Sequence, residues 1–309
     1  MSNKIQDVIM IGAGPSALTA AIYTTRENIG TVLYEKAVVG GLVATIDKIS
    51  NYPGFPDGIE GLILAEQLEK QAKSFGADIK YGNVTSVRDN GDNKFVTVDG
   101  VEINAKTILI ASGRSYGKID VPGELEYFGK GVHYCATCDG AFYKNKKIIV
   151  IGGANSAIQE AIYLTRFASH IDLVVRSTVK ASGILQRDLQ KLVDDSKITV
   201  HLGTSVDEII GSNGHATSLR VIKDGKSMTI ETDGIFIFVG LKPNTEFLVG
   251  SGIELDEAGF IKTNSKLQTN IPGVFASGDV RSGATMQIAS AVGEGATAAL
   301  SIREYLHNL

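Results

Sequence analysis

The sequence predicts an α/β protein built on two copies of a strand, glycine turn, helix, strand unit. Three observations predict it: an apolar run that enters a glycine turn near residue 12, the same order of features near residue 152, and a late strand followed by an alanine-rich helix after residue 271. With 309 residues, 43% of them hydrophobic, the chain can bury a large core, and its length favours two domains. Its 30 basic and 34 acidic residues give a net charge of −4. That balance supplies no electrostatic reason to expect nucleic acid or an anionic membrane as partner. The early run DVIMIGAGPSA is too short to span a bilayer and too rich in glycine for a cleavable leader, so the expectation is a cytoplasmic protein.

The first unit is DVIMIGAGPSALTAAIYTTREN followed by TVLYEK. A β-branched run passes through Gly12, Gly14 and Ala17 into a helix, and a second strand ends in Glu35. Gly12 lets the chain turn sharply, Gly14 lets the backbone approach a pyrophosphate, and Ala17 packs helix on strand. The helix start, opened by Pro15 and Ser16, turns unpaired N–H groups toward the phosphates. Glu35, 23 positions after Gly12, is placed to accept hydrogen bonds from an adenosine ribose. A tight turn in an ordinary α/β protein is the other reading of the glycines, and the strand, helix, second strand and terminal acid together weigh against it.

Next comes HYCATCDGAF, which holds the only two cysteines, Cys135 and Cys138. In a reducing compartment a structural disulfide is disfavoured, which leaves catalysis or metal binding. Zinc needs about four ligands. The remaining candidates include His133, His170, His201, His215 and His307, with no pair at ligand spacing among them, so no metal site is expected. His133, two residues before Cys135, could tune the thiols or simply pack.

The second unit is KKIIVIGGANSAIQEAIYLTRFASHIDLVVRS. Gly152 opens its turn, Asn155 and Ser156 start its helix, and Ala157 holds the packing position, but Ala154 stands where the close-approach glycine is expected. Its second strand ends at Arg176, with Ser177 and Lys180 behind it and no acid. Such a set suits a 2′-phosphate better than a bare ribose diol, which favours NADP over NAD; a solvated basic loop is the alternative. In the third segment a strand ends at Ser277-Gly278-Asp279 and a long helix follows. Asp279 is then placed to bond a flavin ribityl chain, although a GD pair is also a common turn.

GAGPSA, GGL at Gly40 to Leu42, NYPGF at Asn51 to Phe55, CATCDG, GGANSA and GVFASGDV, in this order and over essentially the whole chain, resemble the low-molecular-weight thioredoxin reductases. The resemblance implies two Rossmann-like domains: an FAD-binding domain from residues 1–114 and 244–309, and an inserted NAD(P)H-binding-like domain, 115–243, that carries the cysteine pair. It implies that Cys135 and Cys138 form a redox disulfide, with Cys138 nearer the flavin and Asp139 exchanging the proton. Gly41, Leu42, Asn51, Gln287 and Ile288 match flavin-contacting positions, with a plain glycine turn and a turn asparagine as the other readings of Gly41 and Asn51. Short crossings at TILIASGRS and GIFIFVGLKPNT imply a rotating inserted domain, and the family implies a homodimer.

This sequence departs from the family pattern on the nicotinamide side. The donor loop usually reads HRRxxxRA, and here Val174 to Ala181 keep one arginine, with Lys180 in place of another. Met286 replaces a usual arginine, and Leu42 a usual glutamine on the flavin side. The expected activity is reduction of a thioredoxin by NADPH through FAD. Two alternatives remain: the same disulfide chemistry driven by ferredoxin, NADH or reduced flavin, and a flavin-binding redox sensor with little turnover.

Overall fold

Continuous apolar runs bounded by glycine turns form parallel strands buried on both faces, because crossover helices cover each side of the sheet. The computed structural model describes residues 5–309 other than 47 and 92, so the first four residues of the expected segment 1–114 lie outside the described residues. The chain divides into two compact units, one formed by the chain up to Ser115 together with Lys242–Leu309, the other by Tyr116–Leu241.

The first unit begins with β1 (Gln6–Ile11), α1 (Pro15–Arg26), β2 (Thr31–Glu35), α2 (Gly61–Ser74), β3 (Asp78–Tyr81), β4 (Val84–Asp89), β5 (Lys94–Val98) and β6 (Val101–Ile110). Its sheet runs β3-β2-β1-β6-β5-β4. The pairings of β1 with β2 and β6, and of β2 with β3, are parallel, whereas β4, β5 and β6 form an antiparallel meander. A short β7 (Arg114–Tyr116) leaves this unit.

The second unit holds β8 (Val132–His133), α3 (Ala136–Asp139), β9 (Lys147–Ile151), α4 (Asn155–Leu164), β10 (His170–Val175), α5 (Gly183–Asp194) and β11 (Ile198–Leu202). It continues through β12 (Thr204–Ser212), β13 (His215–Lys223), β14 (Lys226–Glu231) and β15 (Gly234–Ile237). Its parallel sheet runs β11-β10-β9-β15-β8, and β12-β13-β14 form a separate antiparallel sheet. One face of the parallel sheet packs with α4 and α5 residues around Ile158, Leu164 and Leu189, the other with Ile209, Leu219 and Val221 of the three-stranded sheet.

The chain returns through β16 (Leu241–Pro243), which pairs with β7, then forms β17 (Val274–Ala276) and α6 (Ile288–His307). β17 pairs in parallel with the end of β6, Val274 opposite Ile108 and Ala276 opposite Ile110. Helix α6 lies against α1 through small residues: Ala17, Ala20 and Ala21 on one helix, Ala298 and Ala299 on the other, all buried. Gly295 is required here, since a Cβ on it would sit 2.2 Å from the Ser16 carbonyl oxygen. Both units are Rossmann-like α/β sheets, as the repeated pattern predicts. Among the described residues, no helix is long and apolar enough to cross a membrane.

Candidate functional site

In the first unit, Gly12 (φ +97°) turns the chain out of β1 where a side chain would meet the Ala111 carbonyl oxygen at 2.6 Å. Its neighbour Gly14 caps α1, with Pro15 in the first helical position, and a Cβ added at Gly14 would touch nothing within 4 Å. The N-terminus of α1 therefore faces open space with backbone N–H groups, an anion-binding arrangement. Across that space stands Gly41 (φ +58°), whose added Cβ would come within 3.8 Å of only the Gly14 Cα. The Gly40 N–H donates to the Ala13 carbonyl at 2.8 Å, which ties this second glycine turn to the first. Leu42 follows, partly buried in a 3-10 turn over Gly41–Thr45.

Glu35 ends β2 almost fully buried, its two carboxylate oxygens accepting the Ala13 N–H at 2.8 Å and the Ala37 N–H at 2.9 Å. Ser16 shares a 2.7 Å hydrogen bond with Ser277 at the end of β17, and Ala17 is wholly buried beneath the turn. Two residues on, Asp279 accepts a 3.0 Å bond from the Arg114 Nε. Burial pushes the Asp279 carboxyl up from the ordinary carboxylate range, and the Arg114 charge and hydrogen bond only partly oppose it. Asn51 donates to the Gln287 side-chain oxygen at 3.2 Å, and Gln287 caps α6, whose first residue is Ile288. Met286 before it has φ +58°, a left-handed conformation uncommon for a side chain of its size.

In the second unit, Cys135 and Cys138 form a disulfide with Cα atoms 5.3 Å apart. Cys135 follows β8 and caps the single turn α3, and both cysteines are half-buried. The turn packs tightly on α4, since a Cβ at Gly140 would approach a Leu164 methyl at 2.7 Å. Asp139 closes α3 with its carboxylate 3.4 Å from the His133 Nδ1, while the His133 Nε2 lies 2.7 Å from the Tyr143 hydroxyl. Tyr134 donates to Glu124 at 2.6 Å and stacks on Tyr116 with ring centroids 4.7 Å apart, so it is a packing residue.

The second glycine turn is tighter than the first. Gly152 (φ +141°) has the Phe238 carbonyl oxygen 2.4 Å from an added Cβ, and Gly153 has a Val175 methyl at 2.6 Å. Ala154 caps α4, and Asn155 and Ser156 are exposed in its first turn. The loop after β10 folds back onto this turn: the Lys180 N–H donates to the Gly153 carbonyl at 2.7 Å and the Ser182 N–H to the Asn155 side chain at 2.8 Å. Arg176, Ser177 and Lys180 are exposed along that loop. Among the described residues, no cluster of three or more histidine, cysteine, aspartate or glutamate side chains is arranged to hold a metal.

Within the first unit the structure thus brings the Gly12–Ala17 turn, Gly41 and the Ser277–Asp279 turn together, and joins Asn51 to Gln287. Within the second it joins Asp139 to the cysteine turn, and Asn155 and Lys180 to Gly152 and Gly153. Reading the sequence did not single out Arg114 or Tyr143. Their partners lie far along the chain or across a turn whose path spacing does not reveal. For His133 a signal existed, its place two residues before Cys135, but a lone histidine there reads more readily as surface or packing.

Residues 6–295 match the family described as pyridine nucleotide-disulphide oxidoreductase. The thioredoxin reductase of Bacillus subtilis (strain 168) is 40% identical over 309 residues, covering 99% of this chain and 96% of that protein. The thioredoxin reductase of Listeria innocua serovar 6a is 41% identical, covering 99% and 95%. The crystal structure of thioredoxin reductase from Streptococcus pyogenes MGAS5005 superposes with a TM-score of 0.94 at 36% identity, covering 100% of both chains.

Proposed function

Since the chain belongs to the pyridine nucleotide-disulphide oxidoreductase family and is an enzyme of the thioredoxin reductase kind, we propose that it binds FAD in the first unit and NADPH in the second, and reduces a thioredoxin through Cys135 and Cys138. The observation that carries this is the disulfide between the only two cysteines, half-buried on a turn that ends in a carboxylate. The reading also includes a cytoplasmic homodimer, in which the inserted unit rotates about β7 and β16 to present the pair first to the cofactor and then to the partner.

The residues present fit FAD. A Cβ would fill the space between Gly14 and Gly41, α1 turns its N–H groups toward that space, and Asp279 is a partly buried carboxylate suited to accepting hydroxyl hydrogen bonds. Gly12, Gly14, Pro15, Ser16, Ala17 and Gly41 would hold the pyrophosphate side, and Glu35 the adenosine ribose. Leu42, Asn51, Asp279, Gln287 and Ile288 would hold the flavin side. When bound, FAD supplies two electrons at a time to the disulfide. Opening the Cys135–Cys138 bond takes up two electrons, and two protons if both sulfurs become thiols. Asp139 holds the proton given to and taken from Cys138. The dithiol then attacks a thioredoxin disulfide, forming a mixed disulfide that the second cysteine sulfur resolves, so the partner leaves as a dithiol.

Gly152, Asn155, Ser156, Arg176, Ser177 and Lys180 would bind NADPH. A second reading keeps the disulfide chemistry and takes electrons from ferredoxin, NADH or a reduced flavin. The Ala154 methyl at the cap of α4 and the loop bonded across the glycine turn favour it. Anaerobic titration of the flavin-loaded protein with NADPH, NADH and reduced ferredoxin separates the two. Bleaching of the flavin by NADPH within seconds, followed by thioredoxin reduction, supports the first; bleaching only by another donor replaces it with the second.

A further inference from the structure

His133, Asp139 and Tyr143 meet immediately behind the redox turn. His133 closes β8, Asp139 closes α3, and Tyr143 ends the 3-10 turn Gly140–Tyr143. The His133 side chain is 10% exposed and lies between its two partners, Nδ1 at 3.4 Å from the Asp139 carboxylate and Nε2 at 2.7 Å from the Tyr143 hydroxyl. Its ring is confined by Phe236 of β15, with centroids 5.2 Å apart, and by the edge of Tyr143 at 5.4 Å. Tyr143 is confined in turn by Gly234, where any Cβ would fall 2.2 Å from the phenol ring.

We propose that His133 is a positioning residue for the disulfide chemistry: it holds the Asp139 carboxyl in one orientation and offers it a hydrogen-bond partner in both of its protonation states. This rests on the reading that Asp139 exchanges a proton with the cysteine pair. When Asp139 is ionised, Nδ1–H donates to the carboxylate and the Tyr143 hydroxyl donates to Nε2. When Asp139 takes the cysteine proton on one oxygen, Nδ1–H still donates to the other, and the Tyr143 hydroxyl still donates to Nε2. The imidazole keeps one tautomer throughout, so neither state of the acid is left without this partner in a partly buried position. A lone carboxyl there would lack it in both states.

The surroundings agree with this role. From α3 the titratable group facing His133 is Asp139, from the 3-10 turn it is Tyr143, and β15 presents the apolar Phe236. Beyond Tyr143 lie Asp233 and the Lys146 ammonium, 5.6 Å from the phenol centroid. Burial first, then the negative charges of Asp139 and Asp233, push the Tyr143 phenol up. It therefore remains a hydroxyl at every working pH and can both donate and accept. In the chemical step one S–S bond breaks and two S–H bonds form, with two electrons from the enzyme's reductant and two protons, one of them through Asp139. The reverse proton flow accompanies reduction of the partner disulfide.

The test uses the full-length flavin-loaded enzyme in four variants. His133→Phe keeps the ring packing and removes both polar edges, His133→Gln restores an amide that can donate or accept, Tyr143→Phe removes the hydroxyl anchor, and Asp139→Asn removes the acid. The pH profile of iodoacetamide alkylation of the reduced cysteines should move by about one pH unit in His133→Phe and return toward the parent in His133→Gln. The kcat for thioredoxin reduction should fall about tenfold in His133→Phe with KM for thioredoxin unchanged. Tyr143→Phe should move both in the same direction by less, and it carries the prediction if His133→Phe does not bind flavin. An unmoved alkylation profile in His133→Phe and Tyr143→Phe, alongside a moved one in Asp139→Asn, overturns the role of His133 alone. An unmoved profile in Asp139→Asn overturns the reading beneath it.

Discussion

Asp279 is held between two opposing influences, burial that disfavours its charge and the Arg114 guanidinium 3.0 Å away that favours it, and burial prevails. Hydroxyl donors from a bound cofactor would favour the ionised form, so cofactor binding and ionisation of Asp279 are linked. The sign follows from the raised value. Affinity of the apoprotein for FAD should be weaker where Asp279 is protonated, rise as pH climbs through its elevated titration, and level off above it. Asp279→Asn should weaken FAD binding about 10- to 100-fold at neutral pH and remove that rising limb, as read by quenching of FAD fluorescence. The GD pair and the strand before it were legible in the sequence. The partner was not, because Arg114 lies 165 positions away on a short crossing strand and nothing local to either residue signals the other. His133 shows the same limit over a shorter span, since its contact with Asp139 depends on the turn that folds α3 back onto β8.

Each of the two glycine-rich turns was readable from strand, glycine and helix order, because that order is dictated by backbone conformations open to few other residues. What the order does not give is which part of the chain lies over the turn. In the first unit it is another glycine, Gly41; in the second it is a loop bound through the main-chain N–H groups of Lys180 and Ser182, which any residue type but proline could supply. The face between α1 and α6 was legible as alanine and glycine but not as a close contact. Gly295→Val should expose its meaning: with the Ser16 carbonyl 2.2 Å from the added carbon, the helices must separate, at about 1–3 kcal/mol of stability. Because Ser16 lies in the first turn of α1, the same variant should lose FAD more readily than a variant equally destabilised on the far end of α6. Urea unfolding and flavin retention on gel filtration measure the two effects.

The two units share one plan. Strand order β3-β2-β1-β6 in the first corresponds to β11-β10-β9-β15 in the second; the strands inserted before the last one are β4 and β5 in the first, which run on antiparallel into β6, and the separate meander β12-β13-β14 in the second. The α/β class and the duplication were legible because parallel strands buried on both faces leave long apolar runs. The meanders were not, since their half-exposed residues carry weaker patterns. Two bodies with separate cores should unfold as two transitions in calorimetry. FAD at about 100 times its Kd should stabilise only one of them, by ~2.7 kcal/mol; a single transition that moves as a whole would mean that the units melt together.

β17 and β8 extend these corresponding sheets, one beside β6 and the other beside β15, each in parallel with its neighbour. They reach that place by different routes, β17 from a segment late in the chain and β8 from one that precedes its own sheet. The stretch after each, Ser277–Asp279 in one case and Cys135–Asp139 in the other, is therefore a tip spliced onto a frame that is already complete. Evolution can exchange such a tip without renegotiating the strands behind it, which is how one ancestral scaffold could come to carry a cofactor grip in one copy and a pair of reactive sulfurs in the other.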